Sequence, residues 1–237
     1  MEAPVLFEIE NAVAVITLNR PEKRNAINEE LLVSLCNCVR EVGCNDAVRA
    51  AILTGRGNSF SAGLDISAIG PRQEIRMRGE GLDYAEARAL CKKPIIGAIN
   101  GHAITGGFEL ALNCDFLIAS EKASFRDTHA MLGIHPALGM TQLLQQAIGQ
   151  RMAKQLSFTG EWLSADKALE WGLVNEVVPH ERLLPRAKEI AAEICAVNRN
   201  MLAVIRDLIE ARNGATLDEA YALERSSFGE FMRRTFS

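Results

Sequence analysis

No apolar run in these 237 residues is long enough to span a bilayer, so an integral membrane protein is not expected. The opening Met1-Glu2-Ala3-Pro4 is acidic and leads straight into a strand-like segment, so no secretory leader is expected either. No block of like charges occurs, and the net charge is −4. A nucleic-acid partner would call for a basic stripe, and the chain lacks one. A phosphorylated ligand stays open, since local lysines and arginines can serve it. The six cysteines Cys36, Cys38, Cys44, Cys91, Cys114 and Cys195 follow no zinc spacing. Most lie in apolar surroundings and read as small core hydrophobes, which suits a reducing cytoplasm. There is no internal repeat and no low-complexity linker.

What is present is a chain that is 48% hydrophobic, enough for one sizeable domain with a helical appendage. Val5 to Ile9 and Ala12 to Leu18 read as a hairpin around Glu10-Asn11. Asn28 is a candidate helix cap, with Leu31, Leu32, Leu35 and Val39 on one face behind it. Ala50 to Thr54 and Pro94 to Asn100 read as buried strands. Between them, Ser67 to Glu86 is polar and uneven, a mobile loop over a site that leads into a helix stopped near Pro94. Gly106 to Asn113 reads as a helix, Phe116 to Ile118 as a strand, and Ala123 to Asp127 as another.

From Thr141 the chain turns helical. Ser164 caps a helix that ends at Gly172, and Leu173 to Val178 returns as a strand. Helices over Leu184 to Val197 and Asn200 to Arg212 follow, with Thr216 capping a last one. Strands alternating with helices over the first two thirds define an α/β class. The expected division is an α/β core over 1–179 and a helical region over 180–237.

Two glycine-bearing segments stand out, Ser61-Ala62-Gly63-Leu64-Asp65 and Asn100-Gly101-His102-Ala103-Ile104-Thr105-Gly106-Gly107-Phe108-Glu109. Each puts glycine where a strand hands over to a turn or helix, so the backbone can approach a ligand. Either alone would read as a tight turn. Together they offer two backbone donors aimed at one point, an oxyanion hole. Glu109 adds a carboxylate among apolar neighbours, less than one helical turn beyond Gly106. That set suits stabilising an enolate and moving its proton.

Those two segments, with Arg20-Pro21-Glu22-Lys23-Arg24-Asn25-Ala26, Phe60 to Ile66, Pro94 to Glu109 and Gly160 to Val178, resemble the crotonase, or enoyl-CoA hydratase/isomerase, superfamily. The resemblance covers nearly the whole chain in order. It implies a spiral of ββα units, C-terminal helices that build a homotrimer or hexamer, and an acyl-CoA thioester substrate in fatty acid metabolism. It places the oxyanion hole on the N–H groups of Leu64 and Gly106. The start of a helix at Gly106 agrees with that placement physically. It also assigns Arg24 and Ala26 to the adenine end of CoA, chiefly through backbone groups. Ala62, Asp65 and Ile66 would follow the pantetheine and adenine. Glu109 matches the first of two hydratase glutamates. An acyl pocket is expected between the Ser67–Glu86 loop and residues such as His135, Leu138 and Met140.

The chain departs from the pattern at the second glutamate, where His129 stands. Three readings of this position remain. His129 moves the proton itself, as imidazole can near neutral pH. Asp127 shares its face, if the strand continues, and assists. Or His129 only hydrogen-bonds at the cleft wall. The end at Ser237 also falls short of the last helical segment usual in the superfamily, which leaves CoA affinity and assembly open.

The leading expectation is a lyase that hydrates a 2-enoyl-CoA. It would need no metal and no cofactor besides the CoA carried by the substrate, because the thioester supplies the electron sink. An enoyl-CoA isomerase comes second, since a single carboxylate can carry a proton between carbons. Third is a catalytically weak binding or assembly protein of the same fold, with RNA as a candidate ligand that the acidic balance opposes. The fold alone does not separate these.

Overall fold

The structure, a computed structural model, describes residues 2–65 and 83–236. Its chain divides into two compact units, Met1–Cys195 and Ala196–Ser237.

In the first unit β1 (Val5–Glu10) and β2 (Val13–Leu18) form the expected antiparallel hairpin. Helix α1 (Glu29–Cys44) follows, its N-terminus capped by Asn28, whose side-chain oxygen accepts the Leu31 N–H at 3.0 Å. Three strand–strand–helix units come next. They are β3 (Ala50–Gly55), β4 (Ser59–Ser61) and α2 (Tyr84–Leu90); β5 (Ile95–Ile99), β6 (His102–Ile104) and α3 (Gly106–Leu112); and β7 (Phe116–Ser120), β8 (Ser124–Arg126) and α4 (His129–Leu132). The unit closes with α5 (Met140–Thr159), β9 (Leu163–Ser164), α6 (Ala165–Glu170), β10 (Glu176–Val178) and α7 (Leu183–Ala196).

In each repeat the first strand joins one sheet and the second strand joins another. The large sheet runs β1-β2-β3-β5-β7-β10 and the small one β4-β6-β8-β9. From β2 to β10 the large sheet is parallel, as are β4, β6 and β8 in the small one. Repeating that step from sheet to sheet winds the chain into the ββα spiral.

Burial follows the two-residue strand period. Ala14, Ile16, Ala51 and Leu53 face α1, packing with Leu31, Leu35 and Val39. Their neighbours Val13, Val15, Ala50 and Ile52 face the other way, packing with Leu183, Ala187 and Ala191 of α7. Both faces of the sheet are therefore covered, as a parallel sheet requires. Helix α7 belongs to this core, so the compact unit runs past the 179/180 division read from sequence.

Element boundaries also differ from the sequence reading. Helix α2 begins at Tyr84 rather than after Glu86, because the Asp83 carboxylate caps it by accepting the Glu86 N–H at 3.0 Å. The rest of the expected loop, 67–82, lies outside the described residues. The strand read from Leu173 narrows to Glu176–Val178, because the Leu173 N–H turns back to the Ala168 carbonyl of α6.

The second unit holds α8 (Arg199–Ala211) and α9 (Leu217–Phe236). Asn198 caps the first. Thr216 and Glu219 form a reciprocal capping box on the second. Helix α8 buries none of its residues, and Ile205, Ile209 and Phe228 are exposed.

Candidate active site

Strands β4 and β6 are parallel neighbours, so the glycine segments that leave their C-terminal ends emerge side by side. Beyond β4, Leu64 forms a parallel bridge with Ile27. The Ile27 N–H donates to the Gly63 carbonyl at 2.7 Å, and the Asp65 N–H donates to the Ile27 carbonyl at 2.9 Å. Strand alternation then turns the Leu64 N–H away from Ile27. Gly106 is the first residue of α3, so its N–H has no acceptor within the helix.

The two segments touch closely. A Cβ on Gly63, which has φ +84°, would fall 2.7 Å from the Ile104 carbonyl oxygen and 3.1 Å from the Gly106 nitrogen. Only glycine permits that approach. Gly106 is different. A Cβ there would make ordinary 3.5 Å contacts with Ile27 and the Leu64 nitrogen. Neither packing nor backbone conformation requires glycine at 106, and a side chain would occupy the space beside the Leu64 N–H.

The residue in the glycine-like conformation is Thr105, with φ 49° and ψ −111°. A β-branched residue there is strained and needs its surroundings to hold it. Its N–H donates to the Arg126 carbonyl at 2.8 Å. Its hydroxyl pairs with that of Thr128 and accepts the Thr128 N–H. This clamp orients the chain entering Gly106, and ties it to the segment carrying His129. Nothing in the sequence marks Thr105 for that role.

Glu109 lies one turn into α3 and is only 3% exposed. Its Oε1 accepts the backbone N–H groups of Leu138 at 2.9 Å and Met140 at 3.2 Å. Leu138 and Met140, expected as pocket lining, thus hold the carboxylate through their backbones. The other oxygen, Oε2, lies 3.8 Å from Nε2 of His129.

His129 is buried, but not on a continuing strand. Strand β8 ends at Arg126, and His129 opens the short helix α4. The expected strand-face pairing with Asp127 is therefore replaced by a turn. Asp127 Oδ1 accepts the His129 backbone N–H at 3.0 Å and bonds ring Nδ1 at 2.7 Å. Burial pushes the Asp127 carboxyl up, but bonds from the His129 ring and backbone and from Ser157 outweigh it, holding the group below the usual carboxylate range.

The segments expected along CoA are joined to one another. The Ala62 N–H donates to the Arg24 carbonyl at 2.9 Å. Arg20 reaches over both segments, donating to the Ala26 carbonyl at 2.5 Å and to Asp65 Oδ2 at 3.1 Å. Arg24 is exposed, with its backbone in the left-handed region at φ 52°. The Asp65 carboxylate is buried and engaged by Arg20. Ile66 lies outside the described residues. Arg20 stood within a quoted motif, but no spacing rule marks it as a brace.

The chain thus belongs to the class of ββα spirals, with the N-terminus of α3 set beside the Leu64 segment and a buried, pinned carboxylate one turn further on. The pattern of the enoyl-CoA hydratase/isomerase family matches residues 8–235, and the chain belongs to that family. It is 40% identical over 230 residues to the short-chain-enoyl-CoA hydratase of Clostridium acetobutylicum, covering 95% of this chain and 88% of that one. It is 36% identical over 228 residues to the 1,2-epoxyphenylacetyl-CoA isomerase of Escherichia coli, covering 93% and 87%. The crystal structure of enoyl-CoA hydratase from Bacillus anthracis superimposes with a TM-score of 0.88 at 33% identity, covering 95% and 90%.

Proposed function

We propose that the protein hydrates a 2-enoyl-CoA to a 3-hydroxyacyl-CoA. The observation that carries this is the burial of Glu109 with Oε1 pinned by two N–H groups, beside the paired Leu64 and Gly106 segments. The similarity to a short-chain-enoyl-CoA hydratase supports it.

The thioester oxygen accepts hydrogen bonds from the Leu64 and Gly106 N–H groups. Glu109 takes a proton from a water molecule, and the water oxygen bonds to the β-carbon. The electron pair of the double bond moves toward the thioester, which becomes enolate-like. Fixed donors stabilise that charge as it develops. The α-carbon then takes a proton from Glu109, from His129 or from bound water, and the enolate collapses to product. Atoms and charge balance without a metal or redox group.

CoA lies along the paired segments of Arg24 and Ala26 and of Ala62 and Asp65, with Ile66 given the same role by the family resemblance alone. The backbone stitching of these segments supports a preformed groove. The exposed apolar residues of α8 and α9 support a homotrimer or hexamer, since such a surface calls for a partner. Six free cysteines suit a reducing cytoplasm. Among the described residues no helix is long and apolar enough to cross a membrane.

The second reading is enoyl-CoA isomerisation, favoured by His129 at the second-glutamate position and by the similarity to an isomerase. Loss of the enoyl-thioester absorbance of crotonyl-CoA decides between them. Activity supports hydration. An inert protein that instead converts a 3-enoyl-CoA supports isomerisation.

A further inference from the structure

Asp127, His129 and Glu109 are 1%, 6% and 3% exposed and follow one another through their side chains. A carboxylate oxygen can only accept, so the 2.7 Å bond places the ring proton on Nδ1 of His129. The same Asp127 oxygen binds the His129 backbone N–H. Ring and backbone are thus held by one atom, which fixes the ring orientation. Nε2 is left facing Glu109 Oε2 at 3.8 Å, too long for a direct hydrogen bond, and a water or reacting group lying to one side of the pair can reach both atoms. Asp127 is anchored in turn by Ser157 of α5.

We propose that Asp127 is a positioning residue that holds His129 as its Nδ1–H tautomer, so that Nε2 serves as the acid/base partner of Glu109. The proposal rests on the enolate reading of the site. When Nε2 takes the proton that Glu109 has drawn from the water, Glu109 returns to a carboxylate, the ring becomes an imidazolium, and the Asp127 carboxylate balances its charge. When Nε2 gives that proton to the α-carbon, the ring returns to the same tautomer. No further reactant is needed. This supplies the role that the missing second glutamate would fill.

A purely structural role is the competing explanation, because Asp127 also makes the turn into α4. Asp127→Asn separates the two. An asparagine oxygen in the place of Asp127 Oδ1 can accept both the backbone N–H and the ring Nδ1–H, but it carries no charge to balance an imidazolium. The full chain is labelled with 15N-histidine, and imidazole spectra are recorded in mildly alkaline solution. His129→Gln identifies the signal among the four histidines.

Wild type is expected to show the Nδ1–H tautomer, and Asp127→Asn to keep it through its amide oxygen while losing the carboxylate charge. With crotonyl-CoA, kcat of Asp127→Asn is expected to fall at least about tenfold with KM little changed, a part of the 10²–10⁴ that general acid–base catalysis supplies. An Nε2–H signal in wild type overturns the proposal, as does a wild-type kcat in a folded Asp127→Asn protein. The wild-type spectrum decides even if the variant fails to fold. If wild type leaves crotonyl-CoA untouched, hydration fails as the reading, while the tautomer still decides the role of Asp127.

Discussion

The Leu138 backbone N–H donates to Glu109 Oε1 at 2.9 Å, tying the chain ahead of α5 to a side chain 29 residues earlier. With Met140 on the same oxygen, the carboxylate cannot rotate without losing two bonds. Glu109→Gln keeps an acceptor for both N–H groups and removes the base. Hydration of crotonyl-CoA is expected to fall by about 10²–10⁴, with the melting temperature nearly unchanged. Full activity in this variant would remove Glu109 from the chemistry.

Gly106 and Gly63 are expected to respond oppositely to alanine. Gly106→Ala fits the helix start sterically, so stability should hold. Its methyl would sit beside the Leu64 N–H and crowd the thioester oxygen. Turnover is expected to drop by up to about 10²–10³, the scale of losing one oxyanion donor. Gly63→Ala must adopt φ +84° and press on a backbone oxygen, which should cost more than about 1 kcal/mol of stability. Paired melting curves and crotonyl-CoA kinetics test both. Normal turnover in Gly106→Ala would count against thioester binding at this point.

Arg20 braces the two segments assigned to CoA, yet touches neither Glu109 nor His129 in any described contact. Arg20→Gln should therefore loosen binding more than chemistry. A KM several-fold higher with kcat nearly kept is the expected split, as for lost uniform binding. A fall in kcat at constant KM would place Arg20 in the chemistry instead.

The sequence made the hairpin, the Asn28 and Ser164 caps and the α3 start legible because each depends on local chemistry. The apolar run at Ala50 to Thr54 likewise read as a buried strand, and β3 is buried on both faces. Glu109 was legible as a charge among apolar neighbours. What holds Glu109 was not, because backbone N–H groups of Leu138 and Met140 carry no side-chain signature. Thr105 was hidden because its neighbours Gly106 and Gly107 were the obvious candidates for unusual backbone. Arg20 was hidden because its partners, Ala26 and Asp65, meet only once the chain is folded. The Asp127–His129 pairing was anticipated through a strand, but it forms through a turn.

Asp127 also gives a stability signature independent of any substrate. Its carboxyl titrates lower in the folded chain than its ordinary value of 3.8, despite burial, because His129 and Ser157 bind the ionised form. The unfolded chain therefore binds more protons as the pH falls below about 4. The stabilisation is fully present above that ordinary value and is lost as the pH drops through the folded value. Asp127→Asn lacks the titration. Urea unfolding at neutral pH should show wild type more stable than the variant, with the gap narrowing in acid below about pH 4. A gap that stays constant would mean that the carboxylate charge contributes nothing, and that the turn into α4 needs only an oxygen acceptor.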